Sequence, residues 1–481
     1  MLFNSIDFAV FLPVVFLLYW FVTNSNLRLQ NLLIVVASYV FYGWWDWRFL
    51  SLIIFSTLVD YWVGIGLHRQ QQPFKRKALL LTSILVNLGF LGFFKYFNFF
   101  LENFRTAFTF LGTEFNVSSL NIILPVGISF YTFQTLSYSI DLYRRKLEPT
   151  RDFIAFSAFV SFFPQLVAGP IERATNLLPQ FFAKRQFNYA MAVDGMRQIL
   201  WGLFKKVVIA DRCAEHVNEI FANSSDYSGS TLALGALFFA FQIYGDFSGY
   251  SDIAIGTSRL FGFNIMRNFN FPYFSRNMAE FWRRWHISLS TWFRDYVYIP
   301  LGGSRGNKTM QIRNTLIIFV VSGFWHGANW TFIAWGMLNA LYIIPLILTN
   351  ANRKKPEIEE HGKKLPSLKE LGLILFTFGL TVFAWIFFRA ENMSHAFSYI
   401  GGLFSNPGSY LMIEVYAQYR SLFFVIGIML IIEWFGREGA YGISGIDVIK
   451  SRILRWSFYL IIGLLIFMYH GKQQEFIYFQ F

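Results

Sequence analysis

Charge is scarce in this 481-residue chain: Asp, Glu, Lys and Arg make up 14% of it, against about 25% in a typical soluble domain. A soluble enzyme is disfavoured on that ground alone. Cysteine is nearly absent. Cys213 is the only one, which excludes an intrachain disulfide and a multi-cysteine metal site. No His/carboxylate cluster has metal-ligand spacing, and no nucleophile elbow, P-loop or dinucleotide fingerprint occurs. No Lys or Arg precedes the first apolar run and no small-residue cleavage site follows it, so it reads as a retained first helix rather than a signal peptide. Internal repeats and solvated linkers are missing, and residues 1–481 read as a single polytopic domain.

What is abundant is apolar and aromatic. Hydrophobic residues make up 55% of the chain, with 60 Phe, 24 Tyr and 15 Trp, and the mean hydropathy is +0.42. A bilayer with wet interfaces can use that much ring surface. Apolar runs recur along almost the whole length. A helix needs about 20 residues to cross the hydrocarbon, so about ten or eleven runs are expected to cross. The shorter or charged ones are expected to be re-entrant or interfacial, among them Met191–Ile209 with Asp194, Arg197, Lys205 and Lys206. The fold class is an all-α, multi-pass integral membrane protein. The net charge of +13 fits basic loops facing anionic lipid, and no nucleic-acid-binding motif accompanies it. The basic loops His68–Lys77, Arg144–Arg151 and Arg353–Lys364 are expected in the cytoplasm, which puts the N-terminus outside.

Four segments carry more polarity than a span requires, and ionisable groups at membrane depth are functional candidates by default. In Ser161–Arg173, Pro164, Gly169 and Pro170 argue against an uninterrupted helix. A re-entrant segment is expected there, or else a loop ending in a Glu172–Arg173 pair. In Tyr244–Asp252, Asp246 and Asp252 could perform acid/base chemistry, but a structural polar network is favoured. Arg276–Arg313 has a net charge of +5 beside an aromatic stripe of Trp282, Trp285, Leu289, Trp292 and Tyr296 at helical spacing. It reads as an amphipathic interfacial helix whose basic face, with Arg283 and Arg284, either anchors to anionic lipid or docks an anionic donor. His286 falls at the border of the stripe.

The fourth segment, Ser322–Trp330, lies inside the run Asn314–Leu348. As one helix that run would be about 52 Å long, too long for a hydrocarbon of about 30 Å. A break is expected near Gly327 to Asn329, with His326 beside it. Gly323 and Gly327 would let another helix approach closely. A histidine at depth can both accept and donate a proton near neutral pH, and for His326 a catalytic and a structural role stand level.

Together these blocks resemble the membrane-bound O-acyltransferase (MBOAT) superfamily, and within it the bacterial alginate O-acetyltransferase group. The resemblance is carried by Pro125–Gln134, Ser161–Arg173, Tyr244–Asp252, Glu280–Ser290, Arg294–Gly303 and Trp325–Trp330. It implies a helical fold around a central funnel or tunnel, with His326 as the family's invariant histidine and His286 as the second. It further implies acetyl transfer from a cytoplasmic donor, acetyl-CoA, toward an extracytoplasmic polysaccharide in the bacterial inner membrane. No bound cofactor is implied. The implied partner is a separate periplasmic acetyltransferase of the SGNH type. On this reading Arg283, Arg284, Trp285 and Trp325 help hold donor or acceptor, and Asn329 could polarise the thioester carbonyl. The alternatives are D-alanyl transfer toward teichoic acid, or a transporter using Asp246 and Asp252 as an ion site.

Overall fold

The computed structural model describes residues 1–112, 117–353, 365–405, 411–471 and 474–479. Most of the basic loop Arg353–Lys364, including His361, lies outside the described residues. Among the described residues the fold is helical and contains no strand. Six helical stretches are long and apolar enough to cross a membrane: Leu27–Arg69, Pro73–Phe110, Gly229–Leu260, Trp330–Leu348, Leu368–Arg389 and Tyr419–Gly436. The first contains two 20-residue helices joined at Trp47–Phe49. Large apolar side chains such as Trp44, Trp47, Trp62 and Phe21 are exposed, as a lipid-facing surface requires.

The contacts divide the chain into two compact units whose segments interleave along the sequence, 1–195 with 257–266 and 196–256 with 267–481. In the first unit the initial helix is tied down at its end: Tyr19 Oη donates to Phe261 O at 3.1 Å and Trp20 Nε1 to Leu260 O at 2.9 Å. Asp60 is fully buried and accepts from Ser83, Asn87 and Ser139. Arg76 spends its guanidinium on the carbonyls of Leu67, Leu142 and Tyr143, the free acceptors at two helix ends. The Ser161–Arg173 segment leaves helix geometry at Phe162 and again after Leu166. Its irregular backbone is buried in protein, where such backbone is tolerated. Glu172 is fully buried and accepts from Asn176 Nδ2 and the Met266 N–H, so it does not end an exposed loop.

The second unit holds the segments of greatest interest. The Tyr189–Leu203 helix runs on into a wider π turn over Phe204–Ala210. Its backbone meets the Gly229–Leu260 helix at Gly202 and Gly249. A Cβ on either glycine would lie 2.6 to 2.7 Å from the other's carbonyl oxygen, a close approach that only small residues permit. Lys205 and Lys206 are therefore not interfacial charges. They are buried and paired with Asp252 and Asp246 on the facing helix.

Candidate active site

The Asn314–Leu348 run is two helices, as its length requires. Lys308–His326 ends at His326, Gly327 is extended, and Trp330–Leu348 begins after the N-cap Asn329. The two 19-residue helices pack antiparallel as a hairpin. Gly323 meets Phe332 O and Gly336 meets Phe319 O so closely that a Cβ on either would lie 2.2 Å from that oxygen. The helix that the glycines admit is the second arm of the hairpin. His326 is 3% exposed and ringed by Trp325, Trp335 and Phe388 at centroid distances of 4.9, 5.1 and 5.3 Å. It lies at the turn, enclosed by protein.

The stretch Arg276–Arg313 corrects its sequence expectation. It is not one amphipathic interfacial helix. Met278–Arg284 and Ile287–Phe293 are two seven-residue helices, separated by a bend at which His286 adopts a left-handed backbone, φ +43°. Burial explains the break: Glu280, Phe281, Trp285 and His286 are each 1% exposed, more enclosed than a helix floating at an interface could be. Trp285 is a packing residue among Phe281, Phe269 and Trp385. The basic face is split in use. Arg284 pairs with buried Glu280 at 2.8 Å, whereas Arg283 is exposed and donates to Asn352 O at 3.1 Å.

The bend brings the two histidines into one aromatic cluster. Trp325 is 6.2 Å from the His286 ring and 4.9 Å from the His326 ring, so its indole links them. Beside the cluster lies an apolar cavity of about 250 Å³, lined by Trp282, Leu289, Phe293, Ile318 and Phe319. Arg283, Asn352 and Ser322 also line it. Ser322 is one helical turn before His326. Asn329 is the N-cap of the second arm. Its Oδ1 accepts from Thr331 N, and its Nδ2 donates to Glu391 O at 2.7 Å, beyond the end of the Leu368–Arg389 helix.

Asp246 and Asp252 stand in buried ion pairs. Lys205 Nζ is 2.6 Å from Asp252 and donates to Ser248, and Gln198 donates to Asp252. Lys206 Nζ bridges Asp246 at 2.7 Å and Asp211 at 2.8 Å, and the Ile477 N–H donates to Asp246 Oδ2. Both carboxylates are thus tied into one buried polar network. A small polar cavity adjoins the network, lined by Lys205, Asp252, Arg267, Asn268 and Glu433. Glu433 accepts from Tyr244 Oη at 2.8 and 2.9 Å. Sequence reasoning missed Glu433, Asn268 and the docked Phe476–Ile477 segment. No spacing rule joins residues so far apart in the chain.

Comparison with known proteins agrees with this architecture. Residues 149–388 match the model of the membrane-bound O-acyltransferase family. The chain is 41% identical over 407 residues to a probable alginate O-acetylase of Azotobacter vinelandii, covering 84% of this chain and 78% of that protein. It is 34% identical over 531 aligned residues to a peptidoglycan O-acetyltransferase of Helicobacter pylori, covering 100% of this chain and 98% of that protein. A teichoic acid D-alanyltransferase of Streptococcus thermophilus is 32% identical over 273 residues, covering 54% of this chain and 64% of that protein. These matches, with the helices long and apolar enough to cross a membrane, make the chain a member of the membrane-bound O-acyltransferase family, an integral-membrane O-acyltransferase.

Proposed function

We propose that the enzyme takes an acetyl group from cytoplasmic acetyl-CoA and passes it toward an extracytoplasmic polysaccharide. The observation that carries the proposal is the apolar cavity whose lining includes Ser322, one turn from buried His326, and the exposed Arg283. An acyl thioester arm suits such a cavity, and a guanidinium suits the donor's phosphates. His326 acts as general base on the attacking hydroxyl. The new C–O bond forms as the thioester C–S bond breaks, and the hydroxyl proton passes through the imidazole to the departing thiolate. His286 holds the reacting groups from across Trp325. The site belongs in the bacterial inner membrane with the N-terminus outside, and a periplasmic SGNH-type acetyltransferase is the expected partner for delivery to the polymer.

Two acceptors are in question, alginate and peptidoglycan. The end-to-end match to the peptidoglycan O-acetyltransferase supports the second as strongly as the higher identity to the alginate acetylases supports the first. The experiment uses cells expressing wild type or His326→Ala at matched protein levels, with ester-linked acetate measured on each polymer. His326→Ala should fall below about a tenth of wild type, because positioned proton transfer is worth about a hundred- to ten-thousandfold. Higher residual acetylation excludes an essential base. D-alanine found in place of acetate would reassign the acyl group.

A further inference from the structure

His286 Nδ1 lies 3.1 Å from Oδ1 of Asn268. Which way the Asn268 amide faces is fixed by its other neighbours. The Ser288 backbone N–H, which can only donate, reaches the same oxygen at 3.3 Å. Ser288 Oγ donates to it at 2.9 Å. On the far side Nδ2 donates to Ser251 Oγ at 3.2 Å. The group facing His286 is therefore a carbonyl oxygen, which can only accept. The imidazole must bring a hydrogen on Nδ1 to this contact. In a neutral ring the lone pair is then on Nε2.

We infer that Asn268 is a positioning residue that holds His286 as its Nδ1–H tautomer and so presents the Nε2 lone pair, a hydrogen-bond acceptor, to the acyl-transfer site. The inference rests on the proposed role of His286 at the reacting groups. The frame around the pair is rigid. The Ile287 N–H donates to Asn268 O at 2.9 Å, so the acceptor and the ring are fixed to one another through the backbone as well as the side chains. The rings of Phe247 and Trp325 flank the imidazole at 4.6 and 6.2 Å. The left-handed backbone at His286, unusual for a residue with a Cβ, is the bend that turns Nδ1 toward Asn268. The charged groups next to Asn268 in the polar cavity include Lys205 and Asp252, which neutralise each other. A neutral amide thus sets the tautomer without adding charge.

The test compares purified, lipid-reconstituted Asn268→Leu, Asn268→Asp and His286→Ala by coenzyme A release from acetyl-CoA, with thermal stability measured alongside. Asn268→Leu removes the acceptor and should lower kcat by about a hundredfold or more, as when a catalytic imidazole loses its tautomer. Its KM for acetyl-CoA should stay within about twofold, the mark of an effect on the reacting group rather than on donor binding. Asn268→Asp keeps an acceptor at the same place and should recover kcat to within about tenfold of wild type. Wild-type turnover in Asn268→Leu together with an inactive His286→Ala overturns the inference. So does an Asn268→Asp protein as slow as Asn268→Leu, because shape rather than the acceptor would then matter. Where Asn268→Leu does not fold, Asn268→Asp decides: loss of turnover in a folded Asp variant is equally fatal. Wild-type turnover in His286→Ala removes the role of His286 itself and the inference with it, a result distinct from the others.

Discussion

Arg284 is held against buried Glu280, whereas Arg283 is exposed and lines the apolar cavity. The two side chains are adjacent in sequence, so a substitution at each separates donor binding from folding. Arg283→Ala should raise the KM for acetyl-CoA about tenfold, the value of one charge-assisted hydrogen bond, and leave the melting temperature unchanged. Arg284→Ala should leave KM unchanged and lower stability by about 1–3 kcal/mol, because Glu280 keeps only Arg276 as a partner. Substrate-dependence curves and thermal melts on the same preparations check both. An unchanged KM in Arg283→Ala, with weaker membrane association, would restore the lipid-anchoring role.

The helical hairpin was legible in the sequence because length arithmetic allowed no single helix, and because the glycines and His326 stood at its centre. The bend at His286 was not. The aromatic stripe keeps helical spacing through it, so periodicity reported one helix where burial has made two. The fate of Met191–Ile209 was hidden for another reason. Lys205 and Lys206 pair with Asp252 and Asp246, 40 or more residues along the chain, where the helices cross at Gly202 and Gly249. Close contact between the hairpin arms yields a prediction at this level. Gly336→Val would place a branched side chain against the Phe319 carbonyl. Overpacking of this kind costs about 1–3 kcal/mol, and the variant should accumulate poorly while its surviving fraction keeps the wild-type KM. Full accumulation of Gly336→Val would show that the arms can part.

Across the whole molecule, ion pairs differ in worth according to where they lie. Lys206 bridges two buried carboxylates, and Lys206→Met leaves both Asp211 and Asp246 without it. The loss should be about 3–5 kcal/mol, and adding Asp211→Asn with Asp246→Asn should recover most of it. At the surface, Asp447 accepts from Arg197 at 2.6 Å and from Arg455 at 2.9 Å. The bond from Arg197 is the main cause holding its carboxyl below the usual range. Its stabilisation is complete above the unfolded value of about 3.9 and is lost only as pH falls through the lower folded value. Asp447→Asn should therefore cost at most about 1 kcal/mol, equally at pH 8 and pH 6, in keeping with an exposed pair. A melt showing a larger loss, or one that grows between those pH values, would contradict this.

The same hairpin has a consequence for how the chain enters the bilayer during synthesis. The Trp330–Leu348 arm is apolar enough to cross by itself, but the Lys308–His326 arm carries Lys308, Gln311, Arg313 and Asn314 and is not among the self-sufficient spans. Insertion must wait for the second arm, and the two should partition as one folded pair docked through Gly323 and Gly336. With a cysteine placed in the first arm, a ribosome-bound chain truncated after Asn329 should leave it open to a membrane-impermeant thiol reagent, and one extended past Leu348 should protect it.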